Sequence, residues 1–154
     1  MVSPYFTYGN IIWASNYKAR TNCLFLLQKR ALRVVTKDTY YAHTETKFQE
    51  LGVLKFDHVN DYLIGNFYFK LTNNTLTSFF DDYCRRIHEV HQHCTRASAG
   101  LSVPYARTNY RKFALKCRGP LVWNMIPINI REQKSFYSFK TQWKEYIMGN
   151  QGGS

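Results

Sequence analysis

The sequence predicts an α+β domain, mostly α-helical with a small β element. Three observations predict it. Apolar residues recur at three- and four-residue spacing in three separate stretches, Asn22–Val35, 58–71 and 136–147. Each stretch has helix punctuation at its start or end, with Asn22, Asp57 and Ser135 as candidate N-caps and Asn73-Asn74 as a break. Two shorter runs, Leu101–Tyr105 and Lys112–Lys116, read as strands around Arg107-Thr108-Asn109-Tyr110 and supply the β element.

Taken in order, residues 5–19 form a short apolar segment of helical type, ending in Asn16-Tyr17-Lys18. The stretch NCLFLLQKRALRVV is the helix around which the rest is expected to gather. Its Leu24, Leu27, Ala31 and Val34 or Val35 make an apolar stripe, and Lys29, Arg30, Arg33 and Lys37 make a cationic ridge opposite. Residues 37–46 are polar and turn-like. One or two helical turns over Lys47–Leu51 stop at Gly52, a candidate left-handed residue just past the helix end. After an extended link, Asp57 caps a second long helix with Val59, Tyr62, Leu63, Asn66 or Phe67, and Lys70 or Leu71 on successive turns. Residues 72–99 are the least regular. Gly119-Pro120 opens a turn, and Leu121–Asn124 is a helical turn ended before Pro127. The last helix sets Phe136, Phe139, Trp143, Tyr146 and Ile147 on one face and Lys140 and Lys144 on the other. Residues 1–148 thus make one domain, and 149–154 a flexible Gly-rich tail.

The totals bound the function. A 45% hydrophobic content can fill a core, and aromatic residues, 17% of the chain, are expected to dominate it. Phe113, Trp123, Phe139 and Trp143 are assigned there. A formal net charge of +11 favours an anionic partner, of which nucleic acid is the commonest. No apolar run reaches the ~18 residues that a membrane helix needs, so no membrane partner is expected. Cys23, Cys84, Cys94 and Cys117 form no Cys-x-x-Cys pair and read as reduced thiols of an intracellular protein. The abrupt apolar start suggests a chain cut from something longer.

Two patterns imitate catalytic or metal chemistry. Phe79-Phe80-Asp81-Asp82 resembles the paired-carboxylate hairpin that holds Mg²⁺ in reverse transcriptases. Its flanks are polar on one side and basic on the other, where that hairpin needs apolar strands. The bland reading is packed phenylalanines with solvated or helix-capping acids. Cys84, His88, His91, His93 and Cys94 offer zinc-type ligands, but bunched, without two pairs separated by a loop that could wrap the ion. No catalytic residue, metal site or cofactor is therefore assigned.

Cations interleaved with aromatics, in Lys134–Trp143 and in Arg107–Arg118, are the better candidates. Arg107, Arg111, Lys112, Lys116 and Arg118 alternate with Tyr105, Tyr110 and Phe113, a pattern in which cations neutralise phosphates and rings stack on bases. The residues expected to touch phosphate are Lys29, Arg30, Arg33, Arg96, Arg107, Arg111 and Lys112.

Six phrases, in order, resemble the C-terminal end of reverse transcriptases from non-LTR (LINE-type) retrotransposons. Tyr8-Gly9 leads to Trp13, and Leu27-Gln28 leads to Arg30 and Arg33. His43-Thr44 precedes Phe48 to Leu51 and Val53-Leu54, and His91 precedes Thr95-Arg96. Gly119-Pro120 leads to Trp123-Asn124 and Pro127, and Phe136 leads to Phe139-Lys140. The resemblance spans about residues 5–147. It implies a thumb and post-thumb region downstream of a polymerase palm, with the family's catalytic aspartates lying upstream of Tyr8. Such a piece would not polymerise DNA alone. In its parent it would bind RNA, an RNA–DNA hybrid or DNA during target-primed reverse transcription, in cytoplasm and nucleus. Trp123, Asn124 and Pro127 would serve the fold. Other readings remain: a docking module for the missing palm, marked by a bare apolar face near the N-terminus; a relic of a decayed element; and a small zinc-binding domain.

Overall fold

A computed structural model describes residues 7–87 and 100–151. The chain is mostly helical, as predicted. The helices are α1 (Asn10–Trp13), α2 (Lys18–Thr36), α3 (Glu45–Glu50), α4 (Phe56–Thr72), α5 (Asn109–Phe113), α6 (Leu115–Met125), α7 (Ile128–Arg131) and α8 (Phe136–Asn150), with a 3₁₀ turn at Ser78–Tyr83. Among the described residues the β element shrinks to a single antiparallel bridge, Arg86 with Leu101. The predicted strand at 112–116 is helix, because Thr108 Oγ1 accepts the Arg111 N–H and starts α5 there. Ala114 is extended and separates α5 from α6.

The hub is α4 rather than α2. α6 and α8 make its main contacts, and α1 and α2 meet its first half through Asn60 and Phe56. It is buried on several faces: Phe56, Asn60, Ile64, Gly65, Asn66, Tyr68, Phe69 and Leu71 are inside. Of the predicted stripe, Asn66 and Leu71 are buried, whereas Val59, Tyr62, Leu63 and Phe67 are half-buried. Two glycines allow its close crossings. A Cβ on Gly119 would lie 2.0 Å from the Tyr68 ring, and one on Gly65 would lie 2.4 Å from the Trp143 indole nitrogen. Gly119-Pro120 therefore sits inside α6, where Tyr68 rests on the bare backbone, and not at a turn. The Tyr68 hydroxyl reaches the carbonyls of Tyr83 and Leu115, both at 3.3 Å, and burial pushes its pKa up. Phe139 is enclosed, stacked on Phe69 at 4.2 Å and tilted on Trp123 at 6.0 Å. Trp123, Phe139 and Trp143 are core as assigned, whereas Phe113 is half-buried at the edge of a cleft.

The ends of α3 and α4 follow the sequence, and the starts of α2 and α4 do not. Gly52 is left-handed (φ 61°), with Gly52 N–H on the Gln49 carbonyl and Val53 N–H on the Phe48 carbonyl, a Schellman ending. Asn74, at φ 52°, ends α4 where Asn73-Asn74 predicted. Neither Asn22 nor Asp57 is a cap: α2 begins at Lys18, and Asp57 lies in the first turn of α4. Ser135 stands at the N-cap of α8 without a side-chain cap bond. The first residues of the predicted tail are ordered instead: α8 runs through Asn150 and Gln151 is buried, its carbonyl accepting from Lys55 Nζ at 3.0 Å; residues 152–154 lie outside the described residues.

The largest correction concerns α2. Its buried residues are Thr21, Gln28 and Leu32, with Phe25 stacked on Phe48 at 6.2 Å. Leu27, Val34 and Val35 are exposed, at 51%, 78% and 71%. The reason is Gln28. Its Oε1 accepts the Phe56 N–H at 2.8 Å, and its Nε2 donates to the Leu54 carbonyl at 2.7 Å. The first N–H of α4 has no partner within its own helix, so a side chain from α2 caps it across the fold. Satisfying those buried groups outweighs turning Leu27 and Val34 inward.

The Asn124 carboxamide does similar work. It donates to the Leu101 carbonyl and accepts the Leu101 N–H, each at 2.9 Å, pairing with the chain as a strand would.

Candidate nucleic-acid interface

Six of the seven predicted phosphate-contacting residues are described; Arg96 lies outside the described residues. Arg30, Arg107, Arg111 and Lys112 are exposed, and Lys29 and Arg33 are half-buried. Lys29 Nζ stands 4.5 Å from the centre of the Phe25 ring. Arg33 Nε donates to the Ala42 carbonyl at 3.0 Å, and its guanidinium lies over Tyr40. Among the described residues none of the six forms an ion pair. Four acids are engaged elsewhere: Asp38 with Lys47, Glu45 with Lys55, Asp61 with Arg118, and Asp82 with Arg85 and Lys116. Hydrogen bonds hold several of these carboxyls below their ordinary pKa, from Thr36 and Lys47 for Asp38, Lys55 for Glu45 and Arg85 for Asp82.

The six do not make one patch. Tyr17 meets Phe113 edge-on at 4.9 Å, which joins the start of α2 to the end of α5. Lys112 therefore shares a cleft with Lys18, a residue the sequence reading did not select. Lys29 and Arg33 lie further along α2, about 16 and 22 Å from Lys18 at 1.5 Å per residue. Lys18, Lys29 and Arg33 fall on one flank of α2, since 100° per residue brings positions 11 and 15 apart to within about 60° of each other. Arg30 instead lies among Cys23, Leu26, Leu27 and Val34 on the outward face. Spacing of eleven residues, three helical turns, was the signal that could have added Lys18.

The cleft is about 770 Å³ in volume and is lined by the segment Ala14–Lys18, the first turns of α4, and residues of α5 and α6. Asn60 fixes its floor. It donates to the backbone carbonyl and side-chain oxygen of Asn10, and its own oxygen accepts from Ser15 Oγ. Lys55 and Arg118 line the cleft but are neutralised by Glu45 at 2.6 Å and Asp61 at 2.9 Å. His58 is half-buried there, and burial pushes its pKa below the ordinary 6.5.

The two patterns that imitate catalytic or metal chemistry are described to different extents. Phe80 packs on Phe67 and Tyr83, Phe79 is exposed, and Asp82 pairs with Arg85. Within the zinc-type pattern only Cys84 is described, while His88, His91, His93 and Cys94 lie outside the described residues. No group of three metal-ligating side chains exists among the described residues. No described helix is long and apolar enough to cross a membrane. No protein-family model, curated protein or solved structure matches the chain.

Proposed function

We propose that this chain is the thumb and post-thumb part of a non-LTR retrotransposon reverse transcriptase, non-catalytic by itself, acting inside the cell. Its contribution is to hold the phosphate backbone of RNA, of an RNA–DNA hybrid or of DNA. The six ordered phrases support the family. The observation that supports phosphate contact is the set of exposed cations Arg30, Arg107, Arg111 and Lys112, none in an ion pair among the described residues. A cation already paired gains little from a phosphate, and among the described residues these four have no such competitor.

The test is binding of the purified chain to a labelled RNA–DNA hybrid across a salt series. Four phosphate contacts give a log–log slope of about −3 to −4. Arg30→Ala and Lys112→Ala are each expected to flatten it by about one unit. A slope near zero, or one untouched by these substitutions, refutes the reading.

A second reading has its own observation. Cys23, Leu26, Leu27 and Val34 make an exposed apolar strip on α2. Lys18–Thr36 also contains five cations and no acid. Charge repulsion opposes two copies meeting through this strip. Its complement is an apolar surface with an acidic rim, which we assign to the polymerase palm of the parent protein. Leu27→Glu abolishing capture by a purified palm, with hybrid binding unchanged, would favour docking over nucleic-acid contact.

A further inference from the structure

We propose that the cleft between α2, α4 and α5 binds one nucleotide unit, a nucleobase with a single phosphate, either free or as an unpaired nucleotide of a strand. This deepens the nucleic-acid reading above and rests on it. The cleft's volume of about 770 Å³ falls within the range of small-molecule sites, roughly 300–1,000 Å³. Tyr17, Phe25 and Phe113 supply aromatic surface to it. The Tyr17–Phe113 contact is perpendicular, at 76°, so it covers at most one ring face. Tyr17 keeps 44% of its surface exposed. A base can therefore stack there whatever its identity.

Charge at the cleft favours one phosphate. Lys55 and Arg118 are neutralised by Glu45 and Asp61, and Lys18 and Lys112 form no ion pair among the described residues. The unspent positive charge is thus carried by those two ammonium groups, one from each wall of the cleft. Asp57 also lines the cleft without an ion pair among the described residues. With it the lining carries four cations against three carboxylates, one net positive charge, which leaves a second phosphate unmatched. Its carboxylate can accept an N–H from an exocyclic amine. The preferred unit is a monophosphate of an amino-bearing base. The Asn10–Asn60–Ser15 bonds hold the floor rigid, so little ordering is needed on binding.

The experiment is an NMR titration of the ¹⁵N-labelled chain with cytidine 5′-monophosphate, compared with uridine 5′-monophosphate, cytidine and inorganic phosphate. Amides of Tyr17, Lys18, Asp57, Lys112 and Phe113 should shift together, with the cytidine nucleotide bound several-fold tighter than the other three ligands. Tyr17→Leu should weaken it about tenfold. Lys112→Met should weaken the nucleotide and leave cytidine unchanged. Inorganic phosphate binding as tightly as the nucleotide, or both variants binding like the native chain, overturns the proposal. A hybrid carrying one bulged cytidine, bound more tightly than the blunt hybrid only when Tyr17 is present, identifies the strand as the source; equal affinity identifies the free nucleotide. Loss of hybrid binding with nucleotide binding retained refutes the polymerase reading and leaves the cleft. Hybrid binding without these amide shifts does the reverse.

Discussion

The α4–α6–α8 half of the molecule and the α2 arm are held by different chemistry. In the first, aromatic rings press on bare glycine backbone and on each other around Phe139. In the second, a long helix is fastened largely by two hydrogen bonds from Gln28, plus Leu32, Thr21 and the Phe25–Phe48 stack. Both expose chemistry: the first half shows Leu121, Met125, Tyr137 and Lys140 to solvent. The arm differs in proportion, with Leu26, Leu27, Val34 and Val35 outward, Arg20 and Arg30 beside them, and only Thr21, Gln28 and Leu32 buried. A helix so lightly fastened leaves more of its surface for a partner.

The largest effect should come from forcing the tight half apart. Gly119→Ala puts a methyl into the Tyr68 ring, and an overpacked site with no slack should lose about 3 kcal/mol, read by urea unfolding. Unchanged stability would mean that the α4–α6 contact has slack for a methyl group. Gln28→Leu attacks the arm. It strips partners from the Phe56 N–H and the Leu54 carbonyl and should cost about 2 kcal/mol. Hydrogen exchange should rise along α2 and at the start of α4 while α8 stays protected; uniform loss of protection would erase the distinction between the halves.

A pH series probes the seam between them. Burial holds His58 below its ordinary pKa of 6.5, so the unfolded chain takes up that proton first as pH falls. Stability present above pH 6.5 should be lost as pH drops from there toward the lower folded value. His58→Gln should flatten that part of the curve. A gentler change is Lys37→Gly at the end of α2. Lys37 is left-handed at φ 54°, so glycine should stabilise by about 1 kcal/mol. The smallest effect is expected from Val34→Glu on the bare strip, within about 0.5 kcal/mol by thermal melting. A large loss there would mean that Val34 is packed after all.

Helix existence was legible in the sequence because it depends on near neighbours. The spacing of Phe139, Trp143 and Ile147, the left-handed ends at Gly52 and Asn74, and the stop before Pro127 all follow from local backbone chemistry. Of the candidate site, the exposure of Arg30, Arg107, Arg111 and Lys112 agreed with their charge. That Lys18 joins Lys112, while Lys29 and Arg33 stand well apart from it, did not follow from the sequence pattern. It depends on Tyr17 meeting Phe113, far along the chain from it.

The sequence by itself determined that this chain is helical, cationic and built on an aromatic core, since composition and periodicity are properties of the chain alone. Tertiary structure decided which helix became the hub and which way α2 faces. An apolar stripe records only what could be buried. The buried N–H of Phe56 and carbonyl of Leu54 needed a polar partner, and Gln28 supplied it, turning Leu27 and Val34 toward solvent. Unmet hydrogen bonds belong to pairs of segments, and no single segment shows them until the fold brings the pair together.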